Sequence, residues 1–549
     1  MREFNYDTLK KIAKTKKGKT YIAKVEKYYQ ERYVGKPILA LSYSEYKRYW
    51  IDGDRNSYET AYFERRNRLF LLQILAIAKD KYLSLLEDVL ASICDEYTWV
   101  VPAHAKHPID LFAAETGGYL SETAYIFKDK LSEDIKQRIY NSVANKIVKA
   151  YEETPKFIWE NYKNNWLAVC ACGIGLSYLY LFPERFDKVK ARLLGTFQAF
   201  IEKGFDEEGY CSEGVDYWVY GFGFFCSFFG AYEYFCKERP DFIDCPKVKR
   251  TLNYLKNARM QQNVYLPFAD GGRQITVFNA HTLAPIKGLY PYDFTYPQTE
   301  LVFSQSKAVG FTFLYNLSSY KKPKLAEKEE SCYFQGAQVF IRKRKNYAFA
   351  VKCGHNNEYH NHDDVGAFQI VKDGQRYICD VGAGLYTKTY FGIGRYDIFN
   401  CSSLSHSVPI IDGSLQAFNN EKYCGKVLCV DKNSITMDIA KAYENGPSSV
   451  VVEYVTREDG VDISYACTGI RERIDFHFVS DLKPKIKNGY VYIADMKISC
   501  DKKLEPKIAK VNYISHYNEK IVAYTIDYPV QSKNAVNVSF SLVFEKKSF

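Results

Sequence analysis

Four of the nine histidines in this chain fall between positions 355 and 406, and two of them, His360 and His362, stand one residue apart in the run HNHDDVGAF (360–368). In extended backbone, residues i and i+2 point to the same side. Such a pair can present two imidazoles to a metal ion, or one to a metal and one to a substrate. An HxH pair alone is weak evidence for that chemistry. Asp380, in CDVG (379–382), and His406, in SHSVP (405–409), add to it, because one carboxylate with two neutral imidazoles is a donor set that zinc takes.

Two further clusters have chemical character. The stretch EGVDYWVYGFGFF (213–225) sits at the head of an apolar segment and combines glycine with aromatic rings, as surfaces that meet a ligand do. The same pattern also suits a ring stripe packed into a core. The run NNW (164–166) places two amides before another apolar segment. Asn in that position commonly caps a helix, but an amide can also donate to a carboxylate without adding charge.

The rest of the 549 residues must position these groups. That length calls for two large domains. The net charge of +10 suits a polyanionic partner. Basic residues are nonetheless dispersed among acidic ones, so no nucleic-acid footprint is expected. Tyr (48) and Phe (36) are abundant while Trp (5) is scarce. Tyr offers an apolar face and a polar tip, which suits sugar rings in an open cleft. The 15 cysteines show no CxxC pairing and read as thiols in a reducing compartment. With a charged start lacking a secretory apolar core and no run of about 18 apolar residues, the expectation is a cytoplasmic protein with no membrane span.

From about 57 to 260 the apolar spacing is helical, with segments around 69–77, 83–93, 113–131, 133–152, 164–181, 186–203 and 217–236 separated by Gly and Pro. Helices following one another with no strand between them predict an all-α layer, either a solenoid or a ring of helix pairs. A Lys/Glu/Pro-rich stretch at 320–331 is the expected linker. Strand-like runs follow at 337–343, 348–352, 367–372, 376–380, 450–456, 461–466, 490–498 and 536–544, with a hairpin turn at 372–375. An antiparallel β-sandwich accommodates them.

Taken in order, NNW, EGVDYWVYGFGFF, HNHDDVGAF, DVGAGLYT (380–387) and RYDIFNCSSLSHSVPIIDG (395–413) make the chain resemble the heparinase II/III-like polysaccharide lyase superfamily over about residues 60–420. The resemblance implies an N-terminal incomplete (α/α) toroid followed by a C-terminal antiparallel β-sandwich, an α+β multidomain class with the active cleft between the two. The implied boundaries are an extension packing on the toroid at 1–56, the toroid at 57–320 and the sandwich at 321–549. The implied reaction is β-elimination on a uronic-acid glycan. One group neutralises the C6 carboxylate, a base removes the C5 proton and an acid protonates the O4 leaving group, giving a 4,5-unsaturated end.

By the same resemblance Asn165 is the neutraliser, Tyr217 the acid and in syn elimination also the base, and His360 a base or substrate contact. Arg395 and Tyr396 are implied cleft residues, Arg395 being a candidate to lower the phenol's pKa. His362, Asp380 and His406 are the implied Zn2+ ligands, with the metal tying together loops of the sandwich. Several members carry His after the neutralising Asn; Trp166 stands there in this chain. Trp moves no protons, so base duty passes to Tyr217 or His360. Glu96, Trp99 and His104 look like sugar contacts, Trp99 by stacking and His104 by hydrogen bonding. The partner is thus an acidic poly- or oligosaccharide. Alternatives are a glycoside hydrolase of acidic oligosaccharides, for which Glu213, Asp216 and Asp270 are candidate carboxylates, and a non-catalytic acidic-glycan-binding protein.

Overall fold

The computed structural model describes residues 5–262, 264–271, 285–286, 288–290, 314 and 328–545. The chain divides into two compact units that interleave along the sequence. Residues 5–204 and 217–248, with those described between 285 and 314, make the first; residues 205–216, 249–271 and 328–545 make the second. A single boundary near residue 320 therefore misses two segments that leave the helical region to join the second unit.

The first unit is helical. Its centre is the pair Leu111–Ile126 and Trp166–Leu181, buried on every side along almost their whole length, as core helices are. Small residues let them approach: a Cβ added at Gly173 would lie 2.1 Å from the Ala114 carbonyl oxygen, and one at Gly118 would lie 3.1 Å from Gly173 Cα. The first begins at Asp110, whose side chain accepts from Ala113 N at 2.7 Å and so satisfies one of the unpaired N–H groups of the first turn. Asn56–Ala78 lies outside this pair, and Lys16–Tyr33 packs on it through Tyr21, Ile22, Val25 and Tyr29. Further helices run over Leu83–Cys94, Phe186–Lys203 and Val215–Cys236. The segment expected as one helix over 133–152 is Glu133–Val143, a π-helical turn Ala144–Lys149 and a last turn Ala150–Glu153. The wide turn buries two adjacent residues, Ile147 and Val148, and Ile147 fills the space beside Gly117. Among the described residues no single helix is long and apolar enough to cross a membrane.

The second unit is built of antiparallel sheets. One has eight strands, in the order Pro484–Lys487, Tyr490–Ile493, Met496–Cys500, Asn534–Phe544, Gly460–Ile470, Ser449–Thr456, Ser434–Asp438 and Lys426–Val430. Five strands, Glu330–Phe334, Val339–Lys343, Ala348–Lys352, Phe368–Lys372 and Gln375–Ile378, form a second; Lys507–Ile514, Lys520–Gln531, Arg473–Ser480 and Ile410–Ile411 form a third. The two smaller sheets meet where Cys379 N donates to Val479 O at 3.0 Å. Both contribute to one core with the largest sheet, as in the ring contacts of Phe349 and Phe368 with Tyr454 and of Phe476 and Phe478 with Phe540. This is sandwich packing, with alternate residues inward. The turn at 372–375 pairs Lys372 with Gln375 and puts Asp373 and Gly374 at φ of 52° and 74°, the left-handed pair of a tight hairpin. Two expectations change. The run 490–498 is a hairpin turning at Ala494, and the linker stretch 320–331 lies mostly outside the described residues, its last two members opening the strand Glu330–Phe334.

Candidate active site

In the first unit, Asn165 is buried at the head of the helix Trp166–Leu181, and the preceding Asn164 accepts from Trp166 N at 3.2 Å. Tyr217 is half-buried in the first turn of Val215–Cys236. Gly221 lies on the same face one turn later, and a Cβ there would come 3.1 Å from Asn165 Cβ. Asn165 therefore lies against the helix face that carries Tyr217. The half-buried Trp166 is held between His104 and His107, with ring centres at 4.9 and 5.0 Å. His104 is fixed in turn by Asp110 through Nδ1 at 2.9 Å. Burial pushes His107 down to about 4, with Lys106 adding to the effect, so that ring is neutral.

In the second unit the histidines gather around Asp270, a residue that its sequence neighbours mark only as a spare carboxylate. Its Oδ2 meets His360 Nδ1 at 2.6 Å and the Tyr386 hydroxyl at 3.2 Å. Its Oδ1 meets His362 Nε2 at 3.0 Å, Arg395 Nη2 at 2.9 Å and the Tyr390 hydroxyl. Burial alone would raise this carboxyl's pKa, but Arg395 and the two histidines hold it well below the usual carboxylate range. His360 is not in extended backbone. Its φ is +58°, so the alternation argument for the HxH pair fails, and the two rings converge because both bind Asp270. His360 Nε2 lies 3.6 Å from Glu213 Oε1.

His362, Asp380 and His406 bring one donor atom each within 4.8 Å of the others, and all three are buried. The hydrogen bonds around them set the protons. His362 Nε2 faces Asp270, and His406 Nδ1 faces the Ser402 carbonyl at 2.9 Å. Both of those oxygens are acceptors, so the protons sit on these outer nitrogens. The inner nitrogens, His362 Nδ1 and His406 Nε2, face each other at 3.2 Å, and both would present lone pairs to a bound metal. Asp380 Oδ2 lies 3.2 Å from His406, and Oδ1 lies 4.0 Å from His362. Lone pairs at this range repel unless they share a cation. Two nitrogens about 2.0 Å from one tetrahedral ion stand about 3.3 Å apart, so the donor set fits zinc. A second group, Asp270, His362 and Cys401, shares one of these histidines, but five donors already occupy the Asp270 oxygens.

Four expected contacts have other duties. Glu96 is buried, with both oxygens on Arg66 at 2.6 Å and a further bond to Arg65. Trp99 is 1% exposed and donates its indole N–H to Ile93 O at 2.9 Å, so no sugar can stack on it. Arg395 spends its guanidinium on Asp270, Asn361 O and Tyr390 O and is not a cation open to substrate. Tyr396 is buried, stacked on Phe418 at 4.3 Å. Trp166, next to Asn165 in the chain, and His104, packed against the Trp166 ring, remain partly exposed.

No protein-family model matches the chain, and no curated protein matches it by sequence. By structure it is similar to the heparan sulfate lyase HepC of Pedobacter heparinus, with TM-score 0.60 and 12% identity over 97% of this chain and 89% of that one. A heparinase III matches with TM-score 0.64 and 14% identity over 99% and 91%. The chondroitin AC lyase of Streptomyces coelicolor A3 matches with TM-score 0.59 and 10% identity over 99% and 83%. The fold is accordingly that of the heparinase-like polysaccharide lyases, an incomplete (α/α) toroid followed by an antiparallel β-sandwich.

Proposed function

We propose that this chain is a polysaccharide lyase that cleaves a uronic-acid glycan by β-elimination and leaves a 4,5-unsaturated uronate at the new end. One observation carries the reading: the fold is shared, over nearly the whole chain, with enzymes named as lyases of heparan sulfate and of chondroitin. The C5 proton of a uronate is acidic only when its carboxylate is neutralised. Asn165 would donate its amide to that carboxylate, Tyr217 would protonate O4, and the Nε2 of His360 would take the C5 proton. His362, Asp380 and His406 would hold zinc, which when bound supplies positive charge and a tether for the loops that carry them. A hydrolase needs one carboxylic acid that keeps its proton. Asp270, ionised and accepting on both oxygens, does not qualify. We further propose a cytoplasmic setting, in which the 15 cysteines, none of them in a disulfide, stay reduced and the substrates are short imported oligosaccharides.

The test is a panel of uronate glycans followed by ultraviolet absorbance and product mass. A conjugated alkene at the new end is expected; new reducing ends without that absorbance would reject elimination. In the same assay Tyr217→Phe should abolish turnover while leaving glycan binding within about threefold, a change worth under 1 kcal/mol. Full turnover by that variant would remove Tyr217 from proton transfer.

A further inference from the structure

We propose that the N-terminal helices form a second binding site, a lysine-lined cavity that takes a small organic oxyanion: one carboxylate, sulfate ester or phosphate ester on a sugar-sized carbon body. The cavity, of about 330 Å³, lies where Tyr6–Ala13 and Lys16–Tyr33 meet the C-terminal end of Asn56–Ala78. That volume is at the small end of the range for ligand pockets. The cavity is separate from the candidate active site. Tyr62 links Asn56–Ala78 to that site through Phe112, His104 and Trp166, in successive ring contact. A helix rises about 1.5 Å per residue, so Ala78 lies about 24 Å further along the same helix.

The walls carry more positive charge than the fold answers. Lys10, Lys14, Lys19 and Lys79 line the cavity against a single carboxylate, Glu26. Glu26 is engaged on both oxygens, by Lys79 at 2.5 Å and by the Tyr82 hydroxyl at 2.7 Å. Lys10 is paired with Asp80 at 3.1 Å. Among the described residues, neither Lys14 nor Lys19 has a side-chain hydrogen bond or ion pair. The first turn of Lys16–Tyr33 holds no acidic residue, so the positive end of that helix adds to the field. Two unanswered ammonium groups on one cavity attract an oxyanion, and lysine meets it as a point charge that suits carboxylate, sulfate or phosphate alike. The remaining lining, Ala13, Ile22, Ala23 and Ala78, is apolar. An inorganic ion would leave that face bare, whereas the carbon body of an organic anion covers it. The joint that shapes the cavity is fixed by backbone contact, because a Cβ on Gly18 would lie 2.2 Å from Ile12 O.

The experiment is isothermal titration calorimetry on the full chain at low salt, with glucuronate, glucose 6-sulfate, glucose 6-phosphate, inorganic sulfate and glucose as probes. At least one of the three sugar anions is expected to fill a site with Kd below about 1 mM, and added salt should weaken it. The tightest of the three identifies the charged group. The double variant Lys14→Gln/Lys19→Gln should weaken that site by about tenfold or more. Lys24→Gln, which removes an exposed lysine of the same helix outside the cavity, should bind as wild type does. No such site in wild type, or an unchanged isotherm from the double variant, overturns the proposal. Inorganic sulfate or glucose binding as tightly as the sugar anions overturns it too, since the first would leave the apolar face without a role and the second the lysines. Both lysines are exposed, so the double variant should melt within about 2 °C of wild type; a larger drop would mean that internal partners hold them, and would equally refute the site. Turnover of glycan plays no part in the readout, so failure of the lyase reading leaves this test standing.

Discussion

The close approach of the two central helices can be tested by adding a single methyl group. Gly173 faces Ala114 so tightly that a Cβ would stand 2.1 Å from its carbonyl oxygen and 2.2 Å from its carbonyl carbon. Ordinary contact begins at 3.4 Å, so Gly173→Ala must push the backbones of both helices about 1.3 Å further from each other, and backbone cannot swing away as a side chain can. Overpacking of this kind costs roughly 1–3 kcal/mol, and a backbone obstacle belongs at the upper end. Alanine's better helix propensity offsets about 1 kcal/mol. The net loss is about 2 kcal/mol, or roughly 5 °C in the melting of the helical unit. Gly195 is the control, being helical and exposed with nothing within 4 Å of its added Cβ. Gly195→Ala should raise the same transition by about 2 °C. The functional consequence falls on Asn165, which heads the displaced helix. A shift of about 1 Å in a group that orients substrate can cost about 10²-fold, so kcat/KM should fall well beyond the effect of stability. Circular dichroism melts and steady-state kinetics on the three proteins decide it. A Gly173→Ala protein melting within a degree of wild type at unchanged kcat/KM would refute the packing argument.

Burial pushes Glu122 up to about 8, only weakly opposed by the Tyr180 hydroxyl at 3.3 Å. The folded chain thus keeps a proton that the unfolded chain releases near pH 4.3. This site's contribution is full below about pH 4.3 and is lost as pH rises toward 8. Glu122→Gln should therefore gain on wild type across that window, by roughly 3 kcal/mol at pH 7; parallel pH–stability curves would reject the assignment. Metal analysis of protein prepared without chelator should find about one zinc per chain, and His406→Ala should lose it together with thermal stability of the second unit. Empty wild-type protein would discard the ligand set.

The helical and strand periods were legible because each lies in local spacing. The runs 164–181, 186–203 and 217–236 match observed helices to within about two residues. Boundaries set by backbone exceptions were not: nothing in the sequence around 144–149 marks a π-turn, and Ala494 at φ +50° reverses a run that reads as one strand. The metal-ligand trio was legible as residue types, since His and Asp near Gly stand out. Asp270 was not, because its importance comes from five donors contributed by positions 90 to 125 residues away. Trp99 and Arg395 show the converse. Their types suit a sugar site, but burial and partners, which no local pattern encodes, assign them to the framework.

The interleaving of the two units bears on how this protein can be divided. A C-terminal fragment cut near residue 324 would lack residues 249–271 of the second unit and with them Asp270. The Arg395 guanidinium would then sit in the interior without its anion, and unpaired buried charge costs several kcal/mol. The polypeptide is therefore a poor source of transferable halves. Shuffling, nicking or separate expression should respect the segments that cross over, and shortening the gene from its 5′ end amounts to removing a keystone of its 3′ product.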